Sequence, residues 1–109
     1  MASELVKVAI KNACSNSETK LIDGASGHTY TVLSIMICET GAAAETFDLY
    51  LMDDGGVTDN YIYRLQPLGE NQTFEHTGRI ILEGTDELGF ITANSANVDV
   101  TVSYLDQTL

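Results

Sequence analysis

The chain has 109 residues, enough for one domain with one core, and its 44% hydrophobic content argues against disorder. Sixteen acidic against five basic side chains give a formal net charge of −11, which excludes non-specific nucleic-acid binding and docking on an anionic membrane. No apolar run approaches the ~20 residues of a spanning helix. Met1–Lys7 shows no basic leader followed by an apolar stretch, so synthesis in a cytoplasm is expected.

In chain order, the first periodic segment is Val6–Lys11, which sets Val6, Val8 and Ile10 on one side and both lysines on the other. Cys14 and Cys38 are the only cysteines, and they fit no zinc spacing. Two reduced thiols are expected, and a bridge would need Cα atoms within about 7 Å. Thr29–Cys38 is apolar on both faces, with Leu33, Ile35 and Ile37 on one side and Val32, Met36 and Cys38 on the other. Such a strand is central in its sheet or has one face covered by a partner. Tyr30, Val32 and Met36 are therefore the candidate oligomer-interface residues. Gly41–Glu45 reads as a hairpin loop. Phe47–Met52 alternates with Phe47, Leu49 and Leu51 inward, and Tyr61–Leu65 repeats the pattern with Tyr61 and Tyr63 inward. Short runs follow at Arg79–Leu82 and Leu88–Thr92. Val98–Leu105 closes the series, with Val98, Val100, Val102 and Tyr104 on one face.

Turn signals rich in Gly, Asn and Asp separate these runs at spacings typical of an all-β protein. The expected fold is an antiparallel β-sandwich of seven to eight strands, jelly-roll-like, with an immunoglobulin-like sandwich as the alternative. The absence of Trp and the short separation of the two cysteines count against the alternative. One domain is expected, with residues 1–20 forming an N-terminal strand or arm and residues 21–109 the sandwich.

Little here points to chemistry. His28 and His76, the only histidines, fit no metal spacing, and there is no G-x-S-x-G nucleophile elbow. No catalytic residue, metal or other cofactor is expected, and the chain reads as a non-enzyme. Asp53–Asp59 groups carboxylates in a glycine-rich loop that suits Ca²⁺. Without the EF-hand pattern it reads as a hairpin turn. Asn71-Gln72-Thr73 matches the glycosylation triplet by chance. A carbohydrate-binding module would want exposed aromatic platforms, and there is no Trp. The carboxylates are scattered, unlike those of a nucleic-acid mimic.

Leu65–Glu75, Ile80–Leu88 and Ala93–Leu105, together with Tyr30–Ile35 and Glu39–Phe47, resemble small virion structural proteins of tailed bacteriophages. The shared pattern is a strand into a polar turn, a Pro-Leu loop, a Gly-Asp turn and a closing strand ending near Ser103-Tyr104-Leu105. It spans about residues 28–106, and Glu83-Gly84-Thr85-Asp86 separates the usual adjacent Gly-Asp by one residue. The resemblance implies a capsid decoration (cement) protein on the virion surface, made in the host cytoplasm. Its partners would be the major capsid protein and copies of itself, as a homotrimer. A tail or fibre component is the alternative. Lys7, Lys11 and Lys20 are three of the five basic residues and lie in the first 20, so they are the candidate capsid contacts. The competing reading is an ordinary edge strand whose lysines block aggregation.

Overall fold

A computed structural model describes residues 3–53 and 58–108. It contains nine strands: β1 (Ser3–Cys14), β2 (Thr19–Asp23), β3 (His28–Glu39), β4 (Glu45–Met52), β5 (Asp59–Leu68), β6 (Thr73–His76), β7 (Ile80–Glu83), β8 (Glu87–Thr92) and β9 (Val98–Thr108). They form two antiparallel sheets. One has five strands in the order β1-β9-β3, with β6 and β7 sharing the far edge of β3; the other runs β2-β8-β4-β5.

The pairing is nested. β4 pairs with β5, β3 with β6 and β7, β2 with β8, and β1 with β9. Contacts of β9 with β3 and of β8 with β4 complete the two sheets. A long antiparallel ribbon rolled up in this way is a jelly roll. The immunoglobulin-like alternative would keep the first two strands in one sheet, and here β1 and β2 lie in different sheets.

The core lies between the sheets. Val98, Val100 and Val102 of β9 and Phe47 and Leu49 of β4 point inward, as their alternation predicts. Phe47 is the hub: its ring stacks on Phe90 at 5.4 Å and takes the edges of Phe74 at 5.4 Å and Tyr63 at 6.3 Å.

Irregularities in β3 and β5 correct two sequence expectations. In β3 a bulge between Val32 and Ser34 makes Leu33 the extra residue against β9. Val32 is therefore buried with Tyr30, Ile35 and Ile37, while Leu33 turns outward with Met36. The far edge answers this bulge: β7 pairs with Thr29–Val32, β6 with Ile35–Cys38, and the chain breaks between them. In β5, Arg64 and Leu65 together face the single Asp48, because Gln66 pairs with Phe47 and Tyr63 with Leu49. Leu65 adopts φ +51°, rare for a bulky residue, and its N–H donates to Asp48 Oδ1 at 2.7 Å. With a second register shift beside Tyr50, Tyr63 points inward and Tyr61 outward. Finally, β1 keeps the alternation of Val6, Val8 and Ile10, but that side faces away from the core and all three are exposed. The postulated Ca²⁺ loop, Asp53–Asp59, falls largely outside the described residues.

Candidate functional site

The five-stranded sheet turns one face to the core and the other away from it. Three rows cross this outer face from β1 through β9 to β3 and its far edge. They are Val6–Leu105–Thr31–Ile81, then Val8–Ser103–Ser34, then Ile10–Thr101–Met36–Glu75. Val6 is 77% exposed, Ile10 62%, Ile81 58% and Met36 46%. Charged residues in register with this face sit only at its margins: Glu4 and Glu83 at one end, Asp99 at the other, and Glu75 on the far edge. On a chain carrying −11, a sheet face whose interior holds no charge is a distinct surface. Six exposed apolar side chains, Val6, Val8, Ile10, Leu33, Met36 and Ile81, share this face, and an apolar cluster of that kind suits contact with another surface.

The outer face of the four-stranded sheet is built differently. Tyr50 there donates its hydroxyl to Glu18 Oε2 at 2.7 Å, and burial with that carboxylate raises its pKa far above the ordinary tyrosine value. Gly89 lies beneath the Tyr50 ring: a Cβ at that position would stand 2.5 Å from the ring carbon. Arg64 stacks over Tyr61 at 4.7 Å, and Lys20 pairs with Glu87 at 3.0 Å. Polar groups on this face are largely engaged by their own neighbours.

The lysines named from the sequence also find partners within the chain. Lys7 Nζ donates to Asp106 Oδ2 at 2.8 Å, and His28 Nδ1 lies 2.7 Å from Asp106 Oδ1. Asp106 is buried, and these two hydrogen bonds hold its carboxyl below the usual Asp value against the opposing cost of burial. The His28 ring stacks on Tyr30, whose hydroxyl accepts the Ala25 N–H. Lys7 and Lys20 thus neutralise buried carboxylates of their own fold; among the described residues Lys11 makes no ion pair. Of the three interface candidates, Tyr30 and Val32 are core residues, and only Met36 reaches the outer face. Val6, Val8, Ile10, Leu33 and Ile81 join it. The alternation of β1 carried that signal, but nothing in the sequence said which side of β1 faces the core.

At one end of the sandwich, the buried carboxylate of Glu39 gathers two loops, the one after β3 and the one after β5. Its Oε2 accepts the Gly41 N–H at 2.7 Å, and its Oε1 accepts those of Ala43 and Asn71, both at 3.2 Å. Burial alone would raise its pKa; the backbone donors outweigh it, and the pKa is lowered. A shallow cleft beside it is lined by Glu45, Ser95 and Asn97 among others, and the Glu39 carboxylate is already satisfied by the backbone.

His76 Nδ1 lies 2.7 Å from the Tyr63 hydroxyl. No group of three or more His, Cys, Asp or Glu side chains among the described residues is placed to hold a metal ion. Both cysteines are thiols. Cys14 on β1 and Cys38 on β3 flank β9 from opposite sides, two strand spacings or about 9.6 Å apart, too far for a disulfide. Burial pushes the Cys14 thiol pKa up.

No protein-family model matches the chain, and no curated protein matches it. Solved structures do. A Bacillus endospore appendage protein, from a family of disulfide-linked pili, superimposes with a TM-score of 0.59 at 11% identity, covering 99% of this chain and 88% of that one. The capsid structure of Helicobacter pylori bacteriophage KHP30 gives a TM-score of 0.58 at 14% identity, covering 100% and 94%. The infectious bursal disease virus Gx strain gives 0.57 at 10% identity, with 98% of this chain matching 32% of the viral one. At these identities the likeness establishes the fold alone: nearly all of this chain superimposes on most of a chain from the pilus structure and from the phage capsid structure.

Proposed function

We propose that this chain is a non-enzymatic structural protein of a bacteriophage virion, a capsid decoration (cement) protein that binds the major capsid protein on the outside of the head. The observation that carries this reading is the outer face of the five-stranded sheet, apolar at β1 and uncharged in its interior on an otherwise acidic body. A surface of that kind serves contact with another protein and offers no groups for chemistry. The end-to-end likeness to a phage capsid structure and to a pilus subunit supports an architectural role, as does the sequence resemblance to phage virion proteins. Lys11, of the three candidate lysines the one without an ion pair among the described residues, has a charge to offer an acidic shell.

The test is co-sedimentation of the purified chain with preformed heads that lack it. Saturable binding and heads more resistant to heat are expected, with Lys11→Glu binding more weakly. A chain that ignores heads and sediments with isolated tails is a tail or fibre component and ends the decoration reading.

A further inference from the structure

We infer that the free edge of β1, over Ser3–Lys11, is a strand-addition site, and that its occupant is an extended, uncharged segment of a different protein, apolar on the side it shares with Val6, Val8 and Ile10. The site is the edge of the five-stranded sheet and not its face, and it stands whichever particle the chain belongs to.

The sheet edges are finished differently. β2 is five residues long and loses its register between Lys20 and Ile22. β5 carries two register shifts and Pro67. The far edge of β3 is split between β6 and β7, four residues each. Short strands, kinks and prolines keep an edge from pairing with foreign backbone. β1 has none of them over Ser3–Lys11, which pairs with Thr108–Val100 in unbroken register. Nine extended residues span about 30 Å, and in an antiparallel pair every second residue turns its N–H and C=O away from its mate. Among the described residues β1 pairs with β9 alone, and Ser3–Val8 are all exposed.

Side chains could guard this edge, and they turn away from it. Lys7 Nζ donates to Asp106 Oδ2 at 2.8 Å, Gln107 Nε2 donates to Glu4 Oε1 at 3.2 Å, and the Ser3 and Thr108 hydroxyls meet at 2.6 Å. All three side chains of β1 thus lean back onto β9. Lys11 stands at the far end, where the register breaks. The same contacts select the occupant. With Lys7 neutralised by Asp106, Leu5–Ile10 offers a partner no free charge. The body carries −11, which repels an acidic strand and a second copy of this chain alike. A cationic segment is drawn to the acidic body and not to this stretch. What the edge presents is Val6, Val8 and Ile10 on one side and Leu5 on the other, all more than half exposed. Apolar, β-branched neighbours pair best with such positions, and the backbone ladder supplies the rest of the affinity.

The probe is a ten-residue peptide alternating valine and threonine, kept soluble by a polyethylene glycol tail and titrated into the full chain by NMR. Saturable binding with a Kd below about 1 mM is expected, with hydrogen exchange slowed about tenfold or more at alternate amides of Ser3–Lys11. Methylating every second peptide nitrogen separates a ladder from side-chain docking. In the frame that turns those nitrogens toward β1, binding weakens about tenfold or more; in the other frame it changes less than about threefold. No binding at about 1 mM, an equal loss in both frames, or binding that leaves exchange in β1 unchanged overturns the inference. Protection of the same amides that grows with the concentration of the chain itself, without peptide, makes the occupant a second copy and overturns it as well.

Discussion

The two outer faces of the sandwich are made from the same kind of strand and finished in opposite ways. On the four-stranded sheet, Tyr50, Glu18, Arg64, Tyr61, Lys20 and Glu87 engage one another, and Gly89 is small so that the Tyr50 ring can lie flat. On the five-stranded sheet, Val6, Val8, Ile10, Met36 and Ile81 project into solvent, and acidic groups stand only at the border. Exposed residues that satisfy each other contribute to the stability of one chain. Exposed residues that satisfy nothing contribute nothing until another surface arrives. Sequence alternation looks the same in both cases, and only the identity of the neighbour separates them.

Substitutions sharpen this contrast. The largest loss is expected at the layer that holds both faces in place. Phe47→Ala removes the ring against which Phe90, Phe74 and Tyr63 pack, at a cost of about 3–5 kcal/mol in urea unfolding. Next is the engaged face. Gly89→Ala pushes the Tyr50 ring off its seat and costs about 1–3 kcal/mol. Tyr50→Phe deletes the hydrogen bond to Glu18 and costs about 1.5 kcal/mol, because the acceptor is charged.

Acid is a gentler probe. Asp106 and Glu39 have lowered pKa values in the folded chain, so the stability they contribute is complete above the unfolded carboxylate values of about 4 and disappears as pH falls below them. Urea midpoints should hold from pH 7 to about 5 and drop below 4, and Asp106→Asn should make that drop shallower. The smallest effect belongs to the bare face: Val8→Lys should shift monomer stability by no more than about 0.5 kcal/mol. A loss there comparable to that of Tyr50→Phe would mean the two faces are not finished differently after all.

The sandwich was legible because β4 and β9 alternate cleanly and their inward residues are the core. β2 was not, because a register shift between Lys20 and Ile22 sets Leu21 and Ile22 side by side, both buried, and breaks the period of two. β6, Thr73–His76, is too short to show a period. The faces of β3 were misassigned at Val32, since one inserted residue reverses which side follows. Of Tyr30, Val32 and Met36, only Met36 lies on the outer face. The lysines read as outward reach because their partners are remote in sequence: Asp106 lies 99 residues from Lys7. An ion pair across that separation leaves no local pattern.

The pairing of Ser3–Lys11 with Val100–Thr108 also governs how the chain folds. Ser3 and Thr108 stand 105 residues apart in sequence, so this ladder closes only after a long loop has been brought together. Until β9 is in place, the backbone of β1 has no ladder beside it. A seam of such long range forms slowly, and an unpaired strand edge is open to the wrong neighbour in the meantime.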